Sequence, residues 1–477
     1  MRAQDYWKVK APEKKAHAGI RLLTTKQRLA AGQSLRDRCS RARHGEVVLG
    51  QGKRRDLVAL IESSNQGRLK NLVPIRHGRM LQSPFAYFRG TASIQAHDLA
   101  RTPVSGIEVQ CCGDCHLMNF GGFATPERSL VFDINDFDET LRAPFEWDLK
   151  RLATSFVIAA RWRGLSDDQA RSAAVESVAS YRQSMRKRAG ATLLESWYAR
   201  MTMNDVMEML GNDTVAVNRV KKRISEASRQ TNEHVFHKLT SMNDGLPRIV
   251  DQPPLIYHVD SKVLDEGVIS TFFKRYRETL AEERRMLFDR YQVIDVAVKV
   301  VGVGSVGTRC AIALLLASPD DPLFLQFKEA RRSVLAPYTR QRVANNGQRI
   351  VIGQRLMQSA SDIFLGWTRG PAGRDFYVRQ MRDMKVAPAI ETMSPRILRT
   401  YARLCGFALA RAHHKAGDAA TIAGYLGASG KFDEALGDYA IAYADQVERD
   451  YETFVKAVRK GRLTSDLSTS QLETILR

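Results

Sequence analysis

The chain has 477 residues, of which 44% are hydrophobic, and its 73 lysines and arginines outnumber its 52 aspartates and glutamates, giving a net charge of +21. This composition excludes a fibrous or wholly disordered chain, and six cysteines over this length exclude a small disulfide-stapled scaffold. The excess charge attracts polyanions such as nucleic acid or phosphorylated small molecules, but a basic surface that serves only solubility fits it equally well.

The first half of the chain combines a basic segment with helices and two strands. Residues 1–55 are polar and basic, and we expect a loosely ordered arm with short helices. Hydrophobic periodicity predicts the elements that follow. In chain order they are a helix from Asp56 to Asn65, a helix over 91–101, a strand over 106–110, a hairpin with its turn at 125–128 that leads to a second strand over 130–134, a helix over 146–162, and charged helices over 163–240 and 270–290.

From residue 293 the pattern changes to strands. The predicted elements are strands over 296–301, 308–317, 323–328, 362–368 and 375–380, one or two helices within 331–358, and helices over 394–460. The most apolar stretch carries charged residues and glycines, so we expect no membrane span. The N-terminus lacks the apolar core of a secretory signal, and a cytoplasmic location is therefore expected.

The loop between the first two strands holds the first candidate site. Asp114-x-x-x-x-Asn119 is followed, at the end of the second strand, by Asp136. Phosphoryl transfer from ATP needs a carboxylate that orients the attacking hydroxyl and oxygen ligands that hold magnesium against the phosphates. This set of residues meets that need. The alternative is structural, because Asp and Asn often stabilise loop backbone through Asx-turns.

A second candidate is the glycine-rich turn Gly302-Val-Gly304-Ser-Val-Gly307. A dinucleotide-binding fold would require a helix after the glycines, but the next residues continue as an apolar strand. A glycine turn between two strands is typical of the flap that covers ATP phosphates in kinases, and Lys328 ends the following strand, where a kinase places its phosphate-contacting lysine. A flexible hairpin without a ligand is the structural alternative.

Cys112-x-x-Cys115-His116 matches the signature of covalent haem attachment and resembles half of a zinc site. No second cysteine pair and no histidine at ligand spacing accompanies it, so we expect neither haem nor zinc. The order of the other motifs is also unusual. The Asp/Asn loop precedes the glycine turn and Lys328, which is the reverse of a kinase, and a circular permutation of the chain would account for this order.

Three segments resemble the catalytic signature of aminoglycoside and choline phosphotransferases, which have a protein-kinase-like fold. These segments are Gly113 to Asn119, Phe132 to Asp138 and Trp147 to Ala153. More closely, the chain resembles a bacterial family of unknown function, the domain numbered twenty-two fifty-two. The segments that carry this second resemblance are Leu72 to Arg79, Ser83 to Arg89, Phe145 to Leu152, Val301 to Gly307, Gly353 to Gln358 and Ala408 to His413.

The resemblance implies an α+β, protein-kinase-like two-lobed fold that is circularly permuted, with a largely helical C-lobe and a small antiparallel N-lobe sheet. It divides the chain into a basic arm (1–55), the first part of the C-lobe (56–290), the N-lobe with flap and lysine (291–385) and C-terminal helices that complete the C-lobe (386–477). The implied roles are catalytic base for Asp114, magnesium ligands for Asn119 and Asp136, phosphate contact for Lys328, and flap for Gly302, Gly304 and Gly307.

Two positions depart from the phosphotransferase pattern. Cys112 stands where those enzymes have histidine, and Asp138 replaces the glycine of their Asp-Phe-Gly. No acidic partner for Lys328 is evident, since the adjacent Glu329 points to the other face of a strand. His116 and Asp138 are further candidates for the site, and the arginines Arg76, Arg79 and Arg89 would either bind an anionic substrate or stabilise the loop.

The sequence therefore favours a magnesium- and ATP-dependent phosphotransferase that acts on the hydroxyl of an unidentified small molecule. A nucleotide-binding pseudokinase, or a kinase-like protein that transfers a nucleotidyl group, is the first alternative. A basic nucleic-acid-binding protein whose motifs are structural is the second, although no DNA- or RNA-binding signature is evident. The oligomeric state is not predicted.

Overall fold

The computed structural model describes residues 22–50, 55–211, 213–229, 232–259, 265–300, 302–381 and 384–467. It is a mixed α+β protein with antiparallel sheets. The helices of the first half are α1 (Thr25–Arg38), α2 (Leu57–Asn65), α3 (Val73–Met80), α4 (Pro84–Gly90), α5 (Ala92–Leu99), α6 (Phe145–Trp162), α7 (Asp167–Arg188), α8 (Leu193–Tyr198), α9 (Met203–Leu210), α10 (Thr214–Ser228) and α11 (Asn232–Leu239). Those of the second half are α12 (Glu266–Arg277), α13 (Glu282–Phe288), α14 (Asn346–Met357), α15 (Pro395–Ala416), α16 (Ala419–Leu426) and α17 (Lys431–Arg459).

Within the described residues, the strands lie in one larger sheet and three two-stranded pairs. They are β1 (Glu108–Cys111), β2 (Phe120–Ala124), β3 (Leu130–Ile134), β4 (Leu141–Pro144), β5 (Thr240–Asn243), β6 (Leu246–Ile249), β7 (Ile256–Tyr257), β8 (Gln292–Lys299), β9 (Cys310–Ser318), β10 (Asp321–Glu329), β11 (Gly366–Arg369) and β12 (Asp375–Gln380). The larger sheet has the order β11-β12-β10-β9-β8-β7, and the pairs are β1 with β4, β2 with β3 and β5 with β6.

Helix α6 is the centre of the helical part of the molecule. It packs against α7 and α17, and α15 packs in turn against α7. Nearly every side chain of α6 is buried, including the charged residues Asp148, Lys150 and Arg151. Because burying a charge without a partner is unfavourable, these groups need specific contacts inside the protein, and two of them organise the site described below.

The larger sheet is covered on both faces. Phe273 and Tyr276 of α12 pack with Leu325 on one face. On the other face, Leu239 of α11 packs with Phe324 of β10. Side chains alternate along a strand, so Lys328 lies on the same face as Phe324, beyond the part that α11 covers.

Several predicted elements are confirmed, among them the strands β3 and β12 and the helix α6. Two predictions were wrong in extent. The strand expected over 362–368 begins only at Gly366 and ends at Arg369. Helices were expected within 331–358, but residues 331–345 form a loop with a short 3-10 turn, and a helix begins only at Asn346. Asn345 caps this helix, its side chain accepting a hydrogen bond from the backbone N of Gln348, and Pro337 lies in the preceding turn.

The described part of the basic segment 1–55 contains helix α1, which packs against α16. Thr24 and Gln27 form a capping box at its start. The two helices approach so closely that a Cβ atom on Gly32 would lie 1.9 Å from the carbonyl oxygen of Thr421. Within the described residues, no helix is long and apolar enough to cross a membrane.

Candidate functional site

The loop between β1 and β2 is held in place by Asp148 of α6. One carboxylate oxygen of Asp148 accepts a hydrogen bond from the backbone N of Cys112 (2.8 Å) and the other from the backbone N of Gly113 (3.0 Å). Gly113 has a φ of +85°, and a Cβ atom there would lie 2.3 Å from the carbonyl oxygen of Glu139. Glycine is therefore required at this position, and the loop presents Asp114 in a defined place.

Arg151 of α6, the helix that also carries Asp148, binds Asp114. Oδ1 of Asp114 accepts a hydrogen bond from Arg151 Nε (2.9 Å). Nη2 of Arg151 lies 2.8 Å from the same oxygen as part of the ion pair and donates its hydrogen bond to the carbonyl oxygen of Phe88. Burial raises the pKa of Asp114 above its ordinary value, although the Arg151 guanidinium opposes the rise. Nδ2 of Asn119 donates to the carbonyl oxygen of Asp114 (2.7 Å), which leaves Oδ1 of Asn119 as the side-chain atom that could bind a cation.

Two carboxylates follow the end of β3. Oδ1 of Asp136 accepts a hydrogen bond from the backbone N of Asp138 (3.0 Å), so the turn between them is tight. Asp138 also binds Lys328 Nζ through Oδ2 (2.7 Å) and the Tyr377 hydroxyl through Oδ1 (2.6 Å). These partners hold the pKa of Asp138 at about 2, whereas burial and the neighbouring Asp138 carboxylate raise the pKa of Asp136.

Asp138 is thus the acidic partner of Lys328 that the sequence did not reveal. Glu329, as expected, faces away: it forms ion pairs with Arg309 (3.1 Å) and Arg374 (3.3 Å). Helix α14, which follows β10 and its loop, has no acidic residue. Its Arg349 instead donates to the carbonyl oxygen of Asp138 (2.9 Å) and so supports the same turn.

The glycine-rich turn between β8 and β9 lies over Asp138. The hydroxyl of Ser305 is 3.4 Å from Oδ2 of Asp138. Gly302 and Gly307 have φ values of +71° and +84°, which other residues rarely adopt. The backbone N of Leu69 donates to the carbonyl oxygen of Gly307 (2.8 Å), and this bond anchors one end of the turn.

One cavity of about 360 Å³ joins these groups. The predicted site residues in its lining are Asp114, His116, Asn119, Asp136, Asp138, Gly302, Gly304, Arg76 and Arg89. The remaining three lie beside it. Lys328 binds Asp138, Gly307 ends the turn, and Arg79 donates to the carbonyl oxygen of Gly302.

The sequence reasoning missed several residues of the site. Arg151 lies within the predicted motif Trp147 to Ala153, but nothing in the motif indicated that it binds Asp114. Tyr377 was part of a predicted strand only. Arg68 and Arg331 were not singled out, although each lies next to a segment that was, and both line the cavity. A search for arginines flanking the quoted motifs would have found them.

The cysteines of the haem-like motif lie in the core below the loop. Ligand atoms of Cys112, Cys115 and Asp148 are within 4.8 Å of one another, and so are those of Cys111, Asp148 and His413. Burial raises the pKa of all three thiols. The oxygens of Asp148 already accept hydrogen bonds from the loop and contact His413 Nε2 (3.2 Å). The cluster therefore acts as internal support for the loop.

The chain belongs to a family described as uncharacterized proteins conserved in bacteria, DUF2252, whose model matches residues 68–457. The matched region contains every residue of the candidate site. No curated protein matches the chain, and no solved structure does.

Proposed function

We propose that this protein is a magnesium- and ATP-dependent phosphotransferase with a circularly permuted, protein-kinase-like fold, acting on the hydroxyl of a small molecule. One observation carries the proposal. The Asp114 loop, the Asp136 turn and the glycine-rich turn come from separated parts of the chain and line one cavity, with Lys328 bound to Asp138 beside it. A purely structural role for each motif gives no reason for this convergence.

The donor set fits a magnesium ion. Asp136 has one carboxylate oxygen that the backbone of Asp138 does not use, and Asn119 has its amide oxygen. Both residues line the cavity, and oxygen ligands of this kind suit Mg²⁺. The metal would neutralise charge on the phosphates, while the glycine-rich turn and Lys328 would contact them. Asp114 would orient the acceptor hydroxyl and take its proton.

A nucleotide-binding protein without transfer activity is the second candidate, and the Asp114–Arg151 pair favours it. The Arg151 guanidinium engages Oδ1 through a hydrogen bond and an ion pair, so that this oxygen is not available to take the acceptor's proton. Transfer would then depend on Oδ2, the Asp114 carboxylate oxygen that Arg151 does not bind. The two candidates share the nucleotide site and differ only in turnover.

Calorimetry with ATP, with and without magnesium, tests the nucleotide site. We expect wild type to bind ATP only with magnesium and Asp136→Ala to lose that binding. Asp289→Ala is the matched control, because it removes a carboxylate that pairs with Arg277 on the surface. Absence of binding by wild type would refute the proposal and favour the nucleic-acid-binding alternative.

A second experiment tests turnover. Wild type is incubated with ATP, magnesium and a mixture of small-molecule acceptors, and the nucleotide products are separated. Release of ADP indicates phosphoryl transfer, and release of pyrophosphate indicates nucleotidyl transfer. Asp114→Asn is expected to reduce the rate by about 10²–10⁴-fold while ATP binding is kept. Binding without product in wild type would support the second candidate.

A further inference from the structure

Among the described residues, five arginines line the same cavity, and three of them donate hydrogen bonds to neutral oxygens and have no role in the proposed transfer. They are Arg68 in the turn after α2, Arg76 in α3 and Arg331 in the loop after β10. Three separated segments thus direct positive charge towards one space. The cavity that holds the carboxylates of the proposed site therefore also has a basic wall, which we define as these three residues.

Arg76 is the most deeply buried member of the basic wall, with 2% of its surface exposed. Nη1 donates to Oδ1 of Asn65 (2.6 Å) and Nη2 to the carbonyl oxygen of Gly90 (2.7 Å). Its Nε is buried and has no hydrogen-bond partner among the described residues. Burial and the nearby Arg331 lower the pKa of Arg76 to about 10. The side chain thus has an unused donor at a cavity that it lines.

The other two guanidinium groups also bind neutral oxygens. Arg68 donates to the carbonyl oxygens of Ser64 (3.0 Å) and Val306 (2.5 Å), and Arg331 donates to the carbonyl oxygen of Gln66. In the described parts of the chain, no member of the basic wall forms an ion pair with a carboxylate. Burial and the other arginines lower the pKa of Arg68 well below its ordinary value.

A buried cation without an ion-pair partner is unfavourable, and the buried Arg76 and the half-buried Arg68 and Arg331 repel one another. The hydrogen bonds of these arginines to neutral oxygens explain why the three positions carry N–H donors. They do not explain the positive charge, because a neutral donor would make the same bonds. Glu139 and Glu329 also line the cavity and partly offset the charge of Arg68, but within the described residues neither forms an ion pair with the basic wall. An anion in the cavity would supply a direct counter-charge. A phosphate dianion balances two guanidinium charges, and its oxygens match the planar donor pairs of arginine.

We propose that the basic wall binds a phosphate group of the acceptor, so that the substrate phosphorylated by this protein is itself a phosphorylated small molecule. The acceptor assignment rests on the proposed function, whereas the anion site does not. The hydroxyl of the acceptor would face Asp114, since Asp114 and the basic wall line one cavity. The phosphates of ATP are the competing source of the anion.

Calorimetry with inorganic phosphate, without nucleotide or magnesium, tests the site. We expect one phosphate per chain to bind wild type. We also expect binding to persist when magnesium and a non-hydrolysable ATP analogue are saturating. Displacement by the analogue would assign the basic wall to the nucleotide and overturn the proposal. Absence of phosphate binding at millimolar concentration would overturn it as well.

Substitutions separate this site from general attraction to a basic protein. Arg76→Gln and Arg331→Gln are each expected to weaken phosphate binding at least tenfold. Arg331 is only half-buried, so its variant decides the question if Arg76→Gln does not fold. The matched control is Arg163→Gln, whose guanidinium donates to the carbonyl oxygens of Ile390 and Met393 outside the cavity. Equal weakening by all three variants would refute the site.

Asp136→Ala distinguishes failure of this inference from failure of the proposed function. It should lose magnesium-dependent nucleotide binding and keep phosphate binding. A wild-type protein that binds nucleotide but no phosphate refutes only the basic wall as an acceptor site. A protein that binds phosphate but no nucleotide refutes the transferase and the acceptor assignment, and leaves an anion-binding site.

Discussion

Lys328 and Asp138 lie 190 residues apart in the chain and form an ion pair between the larger sheet and the turn after β3, with Nζ 2.7 Å from Oδ2. This pair links two features that were separate anomalies in the sequence. Asp138 stands where aminoglycoside and choline phosphotransferases, which the sequence resembles in this segment, have glycine, and Lys328 had no evident partner. The carboxylate that departs from the pattern is the one that orients the lysine.

The Lys328–Asp138 pair should stabilise the fold as well as the site. Lys328→Met leaves the Asp138 carboxylate without its cation, and we expect the free energy of unfolding to fall by about 3 kcal/mol. This is the lower end for a buried pair, because 26% of the Asp138 side chain is exposed. Urea denaturation at pH 7 measures the effect. The pKa of Asp138 is about 2, so its stabilisation is complete above pH 4 and is lost only as the pH falls through 2.

A control variant distinguishes the lost ion pair from lost packing. In the Lys328→Met background, Asp138→Asn replaces a charge by a neutral amide of similar shape. We expect it to recover part of the lost stability. If the second substitution destabilises the protein further, the explanation based on an unpaired carboxylate is wrong.

Glu139 should make stability fall with rising pH. Burial raises its pKa from 4.5 to about 7, although the backbone N of Val334 donates to Oε2 (2.7 Å). Between these values the folded protein holds a proton that the unfolded chain has lost, so the free energy of unfolding decreases with pH, by about 2 kcal/mol. Glu139→Gln removes this decrease. Urea denaturation at pH 5 and pH 8 measures it, and an unchanged pH slope in the variant would contradict the assignment.

Lys150 of α6 is a buried cation whose removal should stabilise the protein. Its Nζ lies 4.4 Å from the centre of the Tyr439 ring, has no hydrogen-bond partner among the described residues, and has a pKa lowered by burial to about 7. The unfolded chain keeps this proton up to pH 10.5, so the free energy of unfolding rises between pH 7 and pH 10.5.

Lys150→Met has a similar volume and no charge, so we expect it to raise the free energy of unfolding by about 3 kcal/mol at pH 6. The gain should be smaller at pH 10, where the folded wild type already has a neutral lysine. Thermal denaturation at the two pH values provides the comparison. A variant that is less stable than wild type at pH 6 would show that the ammonium group has a favourable partner.

Helix α1 should contribute to the stability of the whole protein. Gly32 of α1 and Gly424 of α16 sit where the two backbones touch, and a Cβ atom on Gly424 would lie 2.1 Å from the carbonyl oxygen of Leu29. Gly32→Val should lower the free energy of unfolding by about 3 kcal/mol. The added side chain would clash with the backbone of α16, which cannot move aside as easily as a flexible side chain. Gly190→Val is the control, since no atom of the described residues lies within 4 Å of its Cβ position. Equal urea midpoints for both variants would contradict the close packing.

The composition of the site could be predicted from sequence to a useful degree. Asp114, Asn119 and Asp136 are separated by short loops around one hairpin, and local patterns of strand and turn residues determine their placement. The glycine-rich turn was equally evident, because Gly302 and Gly307 adopt positive φ values that other residues avoid. These features depend on backbone conformation, which neighbouring residues largely determine.

Electrostatic partners depended on tertiary structure. The pairing of Asp138 with Lys328, of Asp114 with Arg151 and the convergence of the basic wall join residues that are distant in the chain. The sequence pattern around a charged side chain does not indicate which residue it will pair with. In a chain of net charge +21, many lysines and arginines could also pair with each carboxylate. The amino-acid sequence by itself determined the hairpin, helix α6 and the glycine-rich turn. Only the packing of the helical part against the sheet decided which charges meet, because burial makes an unpaired charge costly and so selects the partners.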